Sequence, residues 1–595
     1  MYTFEKEYNL MKQHLEELIL AALNTLQAQG EFSLSSIPPL QIDTTKDKQH
    51  GDFATNIALV LAKPLQRKPR EIAEKIVHAL PVSPNVAKVE IAGPGFINFF
   101  SSMQALSDVV PAILAAQDKF GHCQLGQSKR VHIEFVSANP TGPLHVGHGR
   151  HAAYGDTVGN LLKAVGFSVH KEYYVNDAGR QMDILAASVW LRYLTLCGET
   201  IIFPTNAYRG GYVVDIAKVL HAQQDKRLHM AAAVVFKDLP RDEPEGGDKE
   251  EYINALIIRA QQLLGDGYKV VFDCGLHAIQ QDIHDDLVEL GVVFDTWFSE
   301  RDFIKTDVVN NLIATWKQQG YVYEREGAYW FRSTDFGDEK DRVIERSNGQ
   351  RTYFANDAAY HIDKFHRGFD KEVWIVGADH HGYVPRVRAA LQAGGIDVNN
   401  FSAQLVQFVT LYRGKEQVQM STRGGEFVTL RELRAEVGND AARFFYVMRK
   451  CEQHMDFDLD LAKSQSNDNP IYYIQYAHAR ICSVFRQLAE RGGQYDQTIG
   501  LAHLHLLTES YERQLLTRLG HYPQVIANAA LQYEPHLLTH YLRDLATDFH
   551  AYYNSHQFLT DDIGLRYARL ALITATRQIL INGLKLIGVQ APDSM

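Results

Sequence analysis

Two histidines three residues apart, His145 and His148, stand in the run Ala138-Asn139-Pro140-Thr141-Gly142-Pro143-Leu144-His145-Val146-Gly147-His148. On a helix start that spacing puts both rings on one face, where free N–H groups and the helix dipole favour anionic phosphate. Gly147 between them removes a side chain and lets a flat ring lie against the backbone. Taken alone, the pair better suits a solvated helix face or a metal site; the surrounding N-P-T-G-P-L-H-V-G-H reverses that weight in favour of phosphate. A second chemical signal is Glu134, which lies between Ile133 and Phe135 in an apolar run. An ionised carboxylate there is costly unless a cation pairs with it, either a structural partner or a ligand.

The elements around these residues read as strand, turn, helix, strand. VHIEFVS from Val131 is followed by ANPTGP, by a helix that ends at Gly166, and by FSVHKEYYV. Gly155 and Gly159 leave that helix a flat side for close packing. This is a β-α-β unit of parallel-sheet type, and such sheets bind ligands at the carboxyl edge of their strands. A second unit follows late: VWIV (Val373 to Val376), the turn GADHHG, a helix through Ala390 and the strand LVQFVT (Leu405 to Thr410). The expected fold class is therefore α/β and multidomain. An N-terminal α+β domain (1–115) precedes a split, Rossmann-like parallel-sheet core (125–440) with an insertion at about 195–345, and an all-α helical bundle (441–595) follows. In the first domain, Phe53 to Leu61 reads as an apolar helix opened by Gly51-Asp52, Pro69 opens another, and Val89 to Phe99 reads as a hairpin.

Among 595 residues, 60 Lys+Arg against 71 Asp+Glu give a net charge of −11, which at first argues against a nucleic-acid partner. Residues 241–300 hold 14 of the acids and only 4 bases, so nearly all the acidity is in one stretch. Attraction works within about a Debye length of 10 Å, so a basic or neutral surface elsewhere still admits RNA. The stretch is expected to face away from nucleic-acid phosphates or to pair with local bases. No apolar run approaches the roughly 18 residues a membrane span needs, and the opening MYTFEKEYNLMKQH is charged too early for a signal peptide. The five cysteines form no C-x-x-C pair, and Cys451 and His454 lack two further ligands, so no structural metal is expected.

The motif around His145 resembles the HIGH signature of class I aminoacyl-tRNA synthetases, in the form carried by bacterial arginyl-tRNA synthetases. The resemblance runs essentially end to end. It includes Gly51-Asp52-Phe53-Ala54, Gly95-Phe96-Ile97-Asn98, Phe336-Gly337-Asp338, Thr352-Tyr353-Phe354, Gly377-Ala378-Asp379-His380-His381-Gly382, Tyr473 to Arg480 and Leu586-Ile587-Gly588-Val589. It implies ATP-dependent activation of L-arginine to an adenylate, then transfer to the terminal adenosine of tRNA(Arg). ATP enters as its Mg2+ complex, and activation needs bound tRNA. A cytoplasmic monomer without membrane attachment is the family expectation.

The residues fit that substrate. Glu134 and Asp357, with the phenol of Tyr353 four residues before Asp357, suit a planar guanidinium with five donors better than a lysine ammonium. By resemblance, Glu134, Asn139, Tyr353 and Asp357 hold arginine, with Asp379 or His380 nearby. His145 and His148 act on the ATP phosphates and transition state, Gly142 lies in the ATP-binding turn, and Gly147 meets the adenine. The second class I signature survives only as Gln419-Met420-Ser421-Thr422-Arg423, without its first lysine. Met420 and Ser421 are expected on the loop over pyrophosphate, with Lys415 or Arg423 as the replacement cation or as solvated loop charges. In the last domain Tyr473, Tyr476 and Arg480 share a helix face, which is either core or a stacking surface for unpaired bases. Resemblance adds Met595 to that anticodon surface and Asn98 to a surface for the tRNA elbow. A different class I synthetase and a non-catalytic tRNA-binding paralogue are the alternatives.

Overall fold

The computed structural model describes residues 10–45, 48–418 and 428–595. The chain forms two compact units. One joins the residues up to Leu125, with Ala164–Gly166, to Gln465–Met595; the other comprises Gly126–Lys163 and Phe167–Ser464. The N-terminal and C-terminal regions that the sequence separates therefore belong to one body.

In that body four antiparallel strands, β1 (Ile42–Thr44), β2 (Phe53–Thr55), β3 (Val86–Ala92) and β4 (Phe96–Ser101), lie in the order β1-β2-β4-β3. The hairpin of β3 and β4 matches the alternation in the sequence. Phe53–Thr55 does not: it is a strand, and the helix starts only at Ile57. Sheet pairing wins because Gly51, at φ +83°, brings the chain against Phe99, where a Cβ would meet the Phe99 carbonyl oxygen at 2.6 Å. Asp52 next to it accepts from the Ser101 N–H and from Arg513 of the helical region, at 2.8 and 3.0 Å. The Gly-Asp-Phe motif thus ties the sheet to the bundle. The bundle runs through helices Pro470–Glu490, Ser510–Gly520, Tyr522–Leu531, His536–Ser555 and Ile563–Leu586.

The second unit is built on five parallel strands. These are β5 (Arg130–Glu134), β6 (Ser168–Val175), β7 (Thr296–Ser299), β11 (Lys371–Gly377) and β12 (Phe401–Val406), in the order β12-β11-β5-β6-β7. Between β7 and β11 lie β8 (Val322–Arg325), β9 (Ala328–Phe331) and β10 (Arg342–Glu345), a separate antiparallel sheet. After β12 come β13 (Val409–Arg413), β14 (Glu416–Gln417) and β15 (Met455–Asp458), in a third sheet. The helix Val146–Ala164 packs closely on the core sheet. A Cβ on Gly155 would meet the Phe135 ring at 2.4 Å, and one on Gly159 would meet Lys171 at 2.6 Å.

Three sequence expectations need correction. The stretch 195–345 is not wholly an insertion, since Thr296–Ser299 within it pairs with β6 as the sheet's edge strand. Four residues are too short to show a period, so β7 was hidden among the helices around it. The single strand read at Leu405 to Thr410 breaks at Gln407-Phe408 into β12 and β13, because the Arg150 guanidinium binds the Gln407 carbonyl at 2.8 Å and Met455 N–H bonds to Phe408. The region beyond 440 is helical except for β15, which pairs in parallel with β13.

Candidate active site

A cleft of about 590 Å³ opens at the carboxyl edge of β5, β6, β11 and β12. Strand connections diverge there, β5 leading to β6 on one side and β11 to β12 on the other, the usual place for a ligand in an open parallel sheet. Its wall includes Glu134, Ser137, Asn139, His145, Gly147, His148, Tyr174, Asp357, Asp379, His380 and Tyr383. Five of the six residues expected to hold arginine and three of the ATP residues are thus brought together. Tyr353 is not: it opens the helix Tyr353–His366 one turn before Asp357 and is 63% exposed. The phenol that donates to Asp357 belongs to Tyr383, just beyond the GADHHG turn.

The two histidine rings stack, with centroids 3.6 Å apart and planes at 20°. Backbone N–H groups of Gly147 and His148 donate to His145 Nδ1 at 3.1 and 3.4 Å, and the His145 N–H donates to His148 Nδ1 at 3.3 Å. With both Nδ1 atoms accepting, the neutral rings carry their protons on Nε2. Burial holds His145 below the ordinary histidine range and His148 well below it. Both are therefore neutral N–H donors at pH 7 at the N-terminus of a 19-residue helix. A Cβ on Gly147 would meet the His145 ring at 2.9 Å, so the glycine is already needed to seat that imidazole. His151, one more helical step on, also lines the cleft and is pulled by burial to about 4.

Glu134 ends β5 beside Trp374 of β11 and Glu172 of β6. Its Oε2 lies 2.6 Å from the fully buried Lys364 Nζ, which also meets Glu372 Oε1 at 2.6 Å. Burial disfavours the charges, yet His361 and Lys364 outweigh it and hold Glu372 down to about 2. Glu134 Oε1 accepts from Ser137 Oγ at 3.1 Å. The turn that aims Ser137 carries Val136 at φ +66° and Ser137 at φ +42°. Such a conformation costs a β-branched residue of order 1–3 kcal/mol and collects at functional sites. Ser137 Oγ also accepts from the Tyr174 N–H at 3.2 Å, bolting the strained turn to β6.

Asp357 is in a different state. Burial raises its carboxyl above the usual range, and no cation lies at ion-pair distance among the described residues. Glu300, first residue of the helix Glu300–Ile304 beyond β7, is 3% exposed, and burial with nearby Asp357 and Asp177 pushes it up to about 7. Sequence reasoning missed Glu300, Tyr383, Tyr174 and His151. The H-x-x-H-x-x-H spacing could have found the last, and the acid two residues after a β-branched and aromatic run (Thr296, Trp297, Phe298) could have found the first.

The remaining expected residues lie as follows. Met420 and Ser421, with Gln419 and Arg423, fall outside the described residues. Lys415 is exposed in the turn between β13 and β14 and is not on the cleft wall. Gly142 packs under the Tyr212 hydroxyl, which donates to the Thr141 carbonyl at 2.8 Å. Asn98 is 4% exposed within β4, so its side chain is part of the interior and presents little surface to a partner. Tyr473 and Tyr476 are half-buried against His550, with centroids 4.4 and 5.7 Å away, and Arg480 lies 4.5 Å over the Tyr476 ring. That face is neither core nor free surface. Met595 is 52% exposed. The acidic stretch pairs with bases of its own unit: Asp282 and Asp286 with Arg431, Glu289 with Arg434, Asp273 with Arg301, Glu250 with Arg180.

A parallel sheet split by a long connection, with stacked histidines opening the helix after its first strand, defines a class I aminoacyl-tRNA synthetase. Family models agree along the chain. An arginyl tRNA synthetase N terminal domain matches 13–101, a class I (R) catalytic domain matches 109–195 and 216–460, and a DALR anticodon binding domain matches 474–595. The chain is 60% identical to the arginine–tRNA ligase of Thioalkalivibrio sulfidiphilus and 56% identical to that of Legionella pneumophila. Each match covers 98% of this chain and all of the relative. The Thermus thermophilus arginyl-tRNA synthetase structure shares the fold, with a TM-score of 0.71 at 23% identity over 98% of this chain and all of that one. The chain belongs to the arginyl-tRNA synthetases.

Proposed function

We propose that this chain joins L-arginine to tRNA(Arg) in two steps within the cleft, with Glu134, Asn139 and Asp357 holding the amino acid and His145 and His148 holding ATP phosphates. The arginine carboxylate attacks the α-phosphorus of Mg-ATP in line; the bond to pyrophosphate breaks and arginyl-adenylate forms. The terminal adenosine hydroxyl of tRNA then attacks the carbonyl carbon, and AMP leaves. The observation that carries the reading is the pairing, in one cleft, of two neutral Nε2–H donors at a helix N-terminus with a buried wall of acceptors.

Each part has a physical role. Developing negative charge on the phosphates meets preorganised N–H groups, which need no reorientation as the transition state forms. Phosphate binding raises the histidines' proton affinity, so they pass from neutral donors towards imidazolium as charge builds. Asp357, held by the Tyr383 hydroxyl, supplies the ionic partner for the guanidinium, while Glu134, its charge already met by Lys364, supplies an acceptor. Asp379 and His380, exposed on the rim, are placed for the substrate's α-amino and carboxylate end. Tyr353, exposed one helical turn before Asp357, closes over bound arginine. Gly142 and Gly147 shape the ATP turn, and Met420, Ser421 and Lys415 act on the pyrophosphate side. Tyr473, Tyr476, Arg480 and Met595 contact the anticodon, and Asn98 supports the elbow-binding sheet from within. The working form is a cytoplasmic monomer, the family's usual state.

The test is charging of bulk tRNA with each amino acid in the presence of ATP. Arginine alone should be attached, and His148→Ala should lower kcat about 100-fold or more. Charging of a different amino acid, or of none, overturns the reading.

A further inference from the structure

Arg150 lies two residues beyond His148 on the helix Val146–Ala164 and is 1% exposed. Its guanidinium donates to three backbone carbonyls: Nη1 to Gln407 and Gln453 at 2.8 Å each, and Nη2 to Lys450 at 2.9 Å. Nε is buried without a partner. The groups around the charge are the Cys451 thiol and Tyr446 phenol, both kept protonated by burial, the Tyr154 phenol and the Arg449 cation. Among the described residues no carboxylate lies at ion-pair distance from it, although a buried cation is ordinarily paired with one. Burial weakens its hold on the proton, yet a guanidinium stays charged at pH 7.

The three carbonyls belong to segments that matter to the cleft. Gln407 and Phe408 line it where β12 breaks into β13, and Lys450 and Gln453 stand in the turn before β15. The Gln407 N–H donates to the Cys451 carbonyl at 2.9 Å, which closes these two segments on one another. Arg150 therefore fixes the helix that carries the histidines to a second wall of the same cleft. That wall as a whole includes Glu134, Asp357 and Asp379 but no lysine or arginine among the described residues. Burial leaves His145, His148 and His151 neutral at pH 7. Mg-ATP brings net negative charge to this site, so a fixed cation just behind the wall favours it, in a medium that weakens the field less than water does. Carbonyl dipoles hold the guanidinium in place without cancelling its charge, as a carboxylate would.

We propose that Arg150 is a positioning residue of the ATP site, which sets the histidine helix against the Gln407-Phe408 wall and whose charge favours the polyphosphate from behind the histidines. This rests on the reading of His145 and His148 as donors to ATP phosphates. The same charge acts on the histidines. His151 faces Arg150 and His145 on its own helix and Asp379 and His380 on the GADHHG turn; burial first, and Arg150 next, hold it down to about 4. His148 faces His145 and His151. Removing the guanidinium charge lets this set protonate at higher pH.

Two variants separate charge from geometry. Arg150→Gln keeps N–H donors for the carbonyls without the charge, and Arg150→Lys keeps the charge on a smaller donor head. In steady-state charging, Arg150→Gln should raise the ATP KM about tenfold or more, with the arginine KM within about twofold of the parent. The acid limb of its pH profile for kcat/KM of ATP should move to higher pH. Arg150→Lys should recover most of the ATP KM and keep the parent's acid limb. Equal ATP defects in the two variants, or the parent's ATP KM and acid limb in Arg150→Gln, overturn the proposal. Should circular dichroism show Arg150→Gln unfolded, Arg150→Lys decides alone: an ATP KM raised about tenfold despite the retained charge overturns it. His148→Ala, assayed in parallel, tells the two failures apart. An unaltered ATP KM and kcat there removes the ATP reading of the histidines and this proposal with it, whereas a defect confined to His148→Ala removes the role of Arg150 alone.

Discussion

Lys364 Nζ stands 2.6 Å from both Glu134 Oε2 and Glu372 Oε1, with its side chain fully buried. The ammonium thus serves two strands at once, since Glu134 ends β5 and Glu372 lies on β11. Its proton affinity is raised because the two carboxylates outweigh the cost of burial. Lys364→Met removes the cation shared by two buried carboxylates, leaving Glu372 to His361 and Glu134 to the Ser137 hydroxyl, which is expected to cost about 3–5 kcal/mol. Urea unfolding measures it. Adding Glu372→Gln should restore part of the loss, and a neutral Lys364→Met would show that the pair carries no stability.

Asp357 is expected to dominate the ionic part of arginine binding. Asp357→Asn retains an acceptor for Tyr383 but removes the charge, so about 2–3 kcal/mol should be lost, a rise of roughly 30- to 150-fold in the arginine KM. The ATP KM should stay within about twofold, because the histidine end is unaltered. Equal rises in both would indicate a collapsed cleft instead.

The sequence exposed what depends on local pattern and hid what depends on distant partners. Histidines three apart, Glu134 in an apolar strand and Asp357 in its helix were visible from spacing and context alone. Lys364 was unremarkable in the sequence, because its meaning comes from Glu134, which lies 230 positions earlier. Tyr353 looked like the phenol for Asp357 because i and i+4 share a helix face. Tyr383 took that hydrogen bond from the next element instead. Glu300 was counted among 14 acids of one stretch, and only the pairing of the four-residue β7 shows that it opens the helix directly after the sheet's edge strand. Phe53–Thr55 failed in the same way, since Gly51 and Phe99 decide it across 48 residues.

Glu300 also gives a pH signature in stability. Its carboxyl is raised to about 7 in the folded chain against 4.5 as the ordinary value, so the folded state binds the proton more tightly. The stabilisation from holding that proton is complete below pH 4.5 and is lost as pH rises towards 7, at most about 3 kcal/mol. Glu300→Gln removes the effect. Its melting temperature relative to the parent should therefore be higher at pH 8 than at pH 5, and a pH-independent difference would contradict the assignment.

On the helical domain, Tyr476 is half-buried between His550 and the Arg480 guanidinium. Tyr476→Ala should raise the tRNA KM by the equivalent of about 1–3 kcal/mol for one lost stack, with arginine and ATP KM unchanged. An unaltered tRNA KM would return this face to ordinary helix packing.

Residues 465–595 hold 10 Lys+Arg against 11 Asp+Glu, and several of the bases are engaged within their own unit: Arg513 with Asp52, Arg518 with Asp548, Arg569 with Glu512. With acids slightly outnumbering bases and three of the ten bases already paired, the domain has no net positive charge with which to displace counterions from RNA. Binding through stacking and shape should then depend weakly on salt, because each neutralised phosphate of single-stranded RNA contributes only about −0.7 to the slope of log K against log salt. For an isolated anticodon stem-loop, a slope shallower than about −3 is expected from fluorescence titrations between low and physiological salt. A slope near −6 or steeper would mean that a basic surface, rather than the aromatic face at Tyr473 and Tyr476, carries the affinity.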